Sequence, residues 1–198
     1  MSFKPSVVMR ISAGSAKGRK VTLSKSLLGD KTGDSLRPTS AKVRQALFNI
    51  LSDKVSGSGF LDLYAGSGTV GLEALSRGAV NVVFVERNQA RFKAIRNTVD
   101  RFGFTDRTEV IKDDALRFLK IEDREFDIIF IDPPYGSDDT GKVFELIGVK
   151  DMLKDSGVIV WEHSSKKTPP EEMGKLRHIR SYRYGDTALS LYSKEGKA

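Results

Sequence analysis

The residues best equipped for chemistry are Asp132-Pro133-Pro134-Tyr135. Proline fixes φ and lacks a backbone N–H, so Pro133 and Pro134 stiffen the loop that follows the carboxylate. Such a loop suits an exocyclic amine on a nucleobase, whose lone pair is delocalised into the ring. The Asp132 carboxylate and the Pro133 carbonyl can accept from the two N–H groups and favour pyramidalisation with little reorganisation. Tyr135 can stack on the base. Attack on an electrophilic methyl group is then mainly a matter of positioning. In an arbitrary protein the motif reads as a proline turn with a packed tyrosine. Its place at the end of a strand, with a glycine turn ending another, favours the chemical reading.

The glycine turn is Asp62-Leu63-Tyr64-Ala65-Gly66-Ser67-Gly68-Thr69-Val70-Gly71. Gly66, Gly68 and Gly71 satisfy the dinucleotide fingerprint, which alone also fits a tight turn that binds nothing. Asp62 is a carboxylate inside an apolar strand, costly there without a partner. A cationic amino acid moiety above the turn supplies one, which favours S-adenosylmethionine over a dinucleotide. Glu86, followed by Arg87, ends the next strand and can accept from two ribose hydroxyls of either nucleoside. Asp113-Asp114-Ala115 ends a third strand. Asp114 is the preferred acceptor for an adenine amino group, though an aspartate there also caps a helix well. The expected cofactor contacts are therefore Asp62, Tyr64, Ala65, Gly66, Ser67, Gly68, Glu86, Arg87, Asp113, Asp114 and Ala115. His163 and His178 read as structural, Trp161 as core, and no metal cluster is expected.

These motifs must sit on a framework. From Phe60 onward, apolar runs alternate with helix-period segments. Strands are expected at 60–63, 80–85, 109–112, 126–131 and 158–162, with helices between them. Two final strands, 177–184 and 188–193, meet at a turn at Gly185-Asp186. This alternation predicts an α/β fold with a mostly parallel seven-stranded sheet, helices on both faces and a C-terminal antiparallel hairpin. Ligands of such sheets bind beyond the carboxyl ends of the strands, where every motif above falls. Upstream, 7–22 reads as a small hairpin with a glycine-rich turn and 24–35 as a loop. A helix starts near Thr39 or Ser40, with Val43, Leu47, Ile50 and Leu51 on one face and Arg44 off that stripe.

The 198 residues suit one domain with an appendage, split here into a basic arm at 1–35 and a catalytic domain at 36–198. The absence of cysteine excludes disulfides and thiolate metal sites. No segment is apolar enough to span a membrane and no signal peptide is evident, so a cytoplasmic monomer is expected. The formal net charge is +7, unevenly spread: residues 1–50 carry ten basic and two acidic side chains, the rest 23 and 24. A basic arm on a near-neutral body suggests a polyanionic partner, or else a solvated tail.

With these residues in place, the chain resembles the Rossmann-like class I S-adenosylmethionine methyltransferases of the Asp-Pro-Pro-Tyr type. Within them it resembles the bacterial RsmD family. The family-specific blocks are Arg10-Ile11-Ser12-Ala13-Gly14 with Lys17-Gly18-Arg19-Lys20, and Leu36-Arg37-Pro38-Thr39-Ser40 running into 43–51. Ala16, and Ala41-Lys42 in place of an acidic–basic pair, depart from the pattern. The resemblance implies methylation of the N2 amine of a guanine in 16S ribosomal RNA, naked or in a small-subunit particle. Arg10, Lys17, Arg19, Lys20, Arg37 and Arg44 are the expected RNA contacts. A DNA adenine-N6 or cytosine-N4 methyltransferase shares the catalytic loop but needs a larger segment to read DNA. An NAD-dependent oxidoreductase leaves Asp132–Tyr135 unexplained, and a non-catalytic RNA-binding protein has no need of the intact motif.

Overall fold

The computed structural model describes residues 6–29, 36, 38–134 and 139–194. Tyr135 and Arg37 lie outside the described residues.

Strands β1 (Ser6–Arg10) and β2 (Lys20–Ser24) form an antiparallel hairpin, with Arg10 opposite Lys20. A short helix, α1 (Lys25–Leu28), follows where the sequence suggested only a loop. Contacts distant in sequence fix this segment: the Leu27 carbonyl accepts from Arg91 Nε at 3.2 Å, and the Leu28 carbonyl from the Leu36 N–H at 2.7 Å. Helix α2 (Ala41–Leu51) is capped by Ser40, whose hydroxyl accepts from the Val43 N–H.

Then come β3 (Gly59–Leu63), α3 (Thr69–Ser76), β4 (Asn81–Val85), α4 (Gln89–Phe102), β5 (Thr108–Ile111), α5 (Ala115–Ile121) and β6 (Phe126–Ile131). They are followed by α6 (Thr140–Val149), β7 (Leu153–Ser164), β8 (Glu172–Met173), β9 (Leu176–Tyr184) and β10 (Thr187–Lys194). One sheet has the order β5-β4-β3-β6-β7-β10-β9-β8, parallel from β5 to β7 and antiparallel beyond. It exceeds the expected seven strands only by the two-residue β8.

Successive strand residues face opposite sides, so both faces carry core. Phe60, Phe84 and Phe130 pack under α2, α3 and α4, while Leu61, Val83 and Ile129 pack under α5 and α6. Hence β6 is apolar almost throughout, as a strand covered on both faces must be. Gly71 permits the close approach of α3: a Cβ there would lie 2.2 Å from the Phe84 ring. The hairpin is part of this core, because Ile11, Ala16 and Val21 join the cluster that contains Phe48 and Leu72. Its turn docks on the end of α3, where the Ser15 N–H donates to the Ser76 carbonyl at 2.8 Å. Gly14 has φ +78°, and a Cβ there would overlap that carbonyl at 1.8 Å.

Candidate active site

The strand order reverses between β3 and β6, and a cleft opens where these strands end. Leu63 pairs with Ile131, so the glycine turn after β3 and the Asp132 loop after β6 leave the sheet side by side. The cleft encloses about 840 Å³, its open mouth included. Its lining includes Asp62, Tyr64, Ala65, Gly66, Ser67, Glu86, Arg87, Asp113, Asp114, Ala115, Asp132, Pro133 and Pro134, all singled out above. Of the described candidates for cofactor and catalysis, Gly68 alone is not among the lining residues. It caps α3 at φ +70° and shapes the turn from below, with Ile95 against its Cα.

The turn is strained where it meets the cleft. Tyr64 has φ +72°, a sparsely populated conformation for a non-glycine residue and one that gathers at functional sites. Burial also raises the Tyr64 hydroxyl above its ordinary pKa, so it stays protonated. Asp62 is buried, and one of its oxygens accepts from the Gly71 N–H at 2.9 Å. Desolvation pushes its pKa up to about 7; the Gly71 bond opposes this and nearby Glu86 reinforces it. A buried carboxylate held so poorly ionised at the floor of a cleft fits a cationic ligand group, which would restore its charge.

Glu86 accepts from the Gly66 N–H and the Asn88 N–H, each at 2.7 Å. It therefore ties the glycine turn to the start of α4 as well as facing the cleft. Asp114 is the cap of α5: one oxygen accepts from the Leu116 and Arg117 N–H groups. Capping and cleft lining coexist in this residue. Asp113 accepts from the Asp114 N–H and pairs with Arg117. The donor set thus has acceptors for a cation, a diol and an amine, on three neighbouring strand ends, and fits S-adenosylmethionine.

Residues absent from the expectations also line the cleft: Leu36, Pro38, Thr39, Arg91 and Phe130. Leu36 rests on the glycine turn; a Cβ on Gly66 would meet its methyl at 2.7 Å. Thr39 donates to Glu162 at the end of β7 at 3.1 Å. The segment leading into α2 therefore forms one wall. The only sequence signal was its place in a family-specific block.

The expected RNA contacts on the hairpin lie at the other end of α4 from the cleft. Arg19 donates to the Phe102 carbonyl at 3.0 Å and to the Arg101 carbonyl, and its guanidinium sits 4.1 Å from the Phe102 ring centroid. It covers the C-terminus of α4, whose first turn borders the cleft. The 14 residues of α4 span about 21 Å. Arg10, Lys17 and Lys20 are exposed on the same hairpin. Arg44 is a correction. It is buried, donates to the Arg10 carbonyl at 2.7 Å and pairs with Glu73, because α2 packs that side of itself against α3 and the hairpin.

A family model described as conserved hypothetical protein 95 matches residues 9–193. Ribosomal RNA small subunit methyltransferase D of Haemophilus influenzae is 33% identical over 184 residues, covering 88% of this chain and 92% of that one. The chain belongs to the RsmD family. YlbH of Bacillus subtilis is 36% identical over 95% of this chain and 100% of its own. Among solved structures, yhhF of Escherichia coli superposes with a TM-score of 0.82 at 26% identity, covering 96% of this chain and 100% of that one. The chain thus shares its fold with a solved structure described as a putative methyltransferase over nearly its whole length. Among the described residues, no group of three or more His, Asp or Glu could hold a metal, and no helix is long and apolar enough to cross a membrane.

Proposed function

We propose that this protein transfers a methyl group from S-adenosylmethionine to the N2 amine of a guanine in 16S ribosomal RNA. The observation that carries this reading is the convergence of Asp62, Glu86 and Asp114 with the Asp132-Pro133-Pro134 loop in one cleft, in an RsmD-family chain. The cofactor supplies an electrophilic sulfonium methyl. Asp62 balances the positive charge of its amino acid moiety, Glu86 faces its ribose and Asp114 its adenine. Asp132 and the Pro133 carbonyl hold the guanine amine by its N–H groups. The amine sheds one proton on transfer, and Asp132 is placed to accept it. Tyr135 stacks on the base. Arg10, Lys17, Arg19, Lys20 and Arg37 contribute positive charge toward RNA phosphates. The enzyme acts as a cytoplasmic monomer.

The test is incubation with methyl-labelled S-adenosylmethionine and, separately, naked 16S RNA, small-subunit particles and DNA, followed by mapping of the modified nucleoside. N2-methylguanine in either RNA arm is expected. Label in DNA adenine or cytosine, or in none of the three, overturns the reading.

A further inference from the structure

The path through the molecule continues beyond Asp132. On the far side of that residue lies a smaller cavity, lined also by Pro38, Ser40, Glu162 and Tyr184. Tyr184 in turn lines a hollow between α2 and β9, together with Lys42, Gln45, Asn49 and Tyr182. Asp132 and Pro38 line both the cleft and the smaller cavity, and Tyr184 lines both that cavity and the hollow, so the three adjoin in series.

The walls of the last hollow have a distinctive chemistry. Neither α2 nor β9 contains an acidic residue, whereas β9 carries Arg177, Arg180 and Arg183. Tyr182 and Tyr184 stand two apart in β9 and so face the same side of the sheet. Their backbone is fixed by pairing with Leu189 and Thr187 of β10. The Arg180 guanidinium lies 5.1 Å from the Tyr182 ring centroid. Lys42, Gln45, Asn49 and Arg180 are exposed, and both tyrosines are partly so.

We propose that the α2–β9 hollow binds the single-stranded RNA adjoining the target base. This rests on the reading that the protein methylates RNA. Aromatic rings on a rigid strand, flanked by cations and amides, are what an unpaired strand uses: bases stack on the rings and phosphates meet the cations. Lys42 and Arg180 bind phosphates, Tyr182 and Tyr184 stack bases, and Gln45 and Asn49 hydrogen-bond base edges. The path through Tyr184 leads the chain directly to Asp132. An acidic protein segment would match the cations but leave the two rings and the amides without a role.

Steady-state methyl transfer into naked 16S RNA and small-subunit particles tests this. One double variant, Lys42→Glu with Arg180→Glu, reverses one charge that lines the hollow and one beside its Tyr182 ring. A control, Arg96→Glu with Lys120→Glu, reverses two exposed charges on α4 and α5. The hollow variant should raise KM for both RNA forms roughly ten-fold or more. The control should raise it no more than about two-fold, since its charges lie outside the proposed contact. Affinity for S-adenosylmethionine, read by calorimetry, should not change in either. Tyr182→Ala should raise KM while Tyr182→Phe, which keeps the stacking face, should not. Equal effects of the hollow and control variants, or equal KM for Tyr182→Ala and Tyr182→Phe, overturn the proposal. Where the wild type methylates both forms, an effect confined to particles assigns the hollow to a protein and also overturns the proposal; where it methylates particles alone, the comparison of hollow, control and Tyr182 variants on particles decides. If the wild type methylates no RNA, both readings fall; if it does and only the hollow variants behave as controls, the hollow alone falls.

Discussion

The Arg44 guanidinium of α2 lies 3.6 Å from the Glu73 carboxylate of α3, and both side chains are almost wholly buried. The same carboxylate accepts from the Ser12 N–H at 2.8 Å, the Ser12 hydroxyl at 2.6 Å and the Ala13 N–H at 3.0 Å. Arg77, which caps the end of α3, adds a bond at 2.9 Å. Glu73 thus joins two helices and the hairpin at one point.

Removing one partner of a buried ion pair leaves the other uncompensated, at a cost of about 3–5 kcal/mol. Glu73→Ala should therefore lower stability by about that much, read from the urea midpoint at unchanged m-value. Arg44→Ala should also destabilise, while leaving the salt dependence of RNA binding as in the wild type. A normal urea midpoint for Arg44→Ala, with a salt slope shallower by about one unit, would return Arg44 to the RNA contacts.

Asp62 makes cofactor affinity and stability depend on pH. Its pKa is about 7 in the folded protein, against about 3.9 in an unfolded chain. The ligand-free folded state keeps a proton that the unfolded chain releases, so this group's contribution to stability falls as pH rises from about 4 to about 7. Three pKa units correspond to about 4 kcal/mol. The difference in unfolding free energy between wild type and Asp62→Asn should change in that window and flatten above it. Binding of a cationic ligand favours ionised Asp62, so wild-type affinity for S-adenosylmethionine should strengthen over the same range. Calorimetry should show a weaker pH response for Asp62→Asn; identical profiles would remove Asp62 from the cation's site.

Asp132→Ala should lower kcat by about 10²–10⁴-fold, the range for a lost general base or positioning group. Affinity for S-adenosylmethionine should stay within about two-fold, since the cation, ribose and adenine acceptors remain in place. Near-normal kcat would mean that another group receives the amine.

Much of this site was legible in the sequence because α/β topology converts order along the chain into place. Glu86, Asp114 and Asp132 each follow a strand of the parallel sheet, so their convergence follows once β4, β5 and β6 are recognised. Helix α4 falls among the helices expected between the strands, and in the structure Asn88 caps its start and Gly103, at φ +72°, ends it. Side-chain partners across the fold were not legible. Arg44 falls off the apolar stripe of α2 and looks solvent-facing until Glu73, in a different helix, is set beside it. Arg19 looks like a free cation until the end of α4 arrives beneath it. Leu36 belongs to a polar stretch, and nothing local shows that it covers Gly66. Periodicity reports which face is apolar, whereas these contacts depend on which elements become neighbours.

Gly71→Ala should destabilise the protein by about 1–3 kcal/mol or more, because the added methyl meets the Phe84 ring and a packed interior yields little. Phe84→Leu removes the ring atoms involved. The double variant should therefore lose less than the sum of the two single losses, a coupling of at least about 0.5 kcal/mol. Strict additivity in urea unfolding would show that the close approach of α3 to β4 is not what requires glycine.

The hairpin leads to a prediction about substrate size. Arg10, Lys17 and Lys20 sit near Arg19 at the far end of α4, about 21 Å along the helix from the turn that borders the cleft. A stem-loop of only a few base pairs, with its guanine at Asp132, is expected to leave them uncontacted, whereas a folded RNA several helices across is expected to reach them. Neutralising Arg10, Lys17 and Lys20 together should therefore leave KM for a short stem-loop within about two-fold of wild type. The same variant should flatten the salt dependence of binding to full 16S RNA or particles by up to about three units, near one for each phosphate that is no longer neutralised. Arg19 is left intact because its bonds to the Arg101 and Phe102 carbonyls and its stacking on Phe102 support the fold; Arg19→Ala should lower the melting temperature instead. Equal salt slopes for wild type and triple variant on the large substrates would assign the hairpin to docking on α3 and α4 alone. Recognition of folded RNA would then rest on surfaces nearer the cleft.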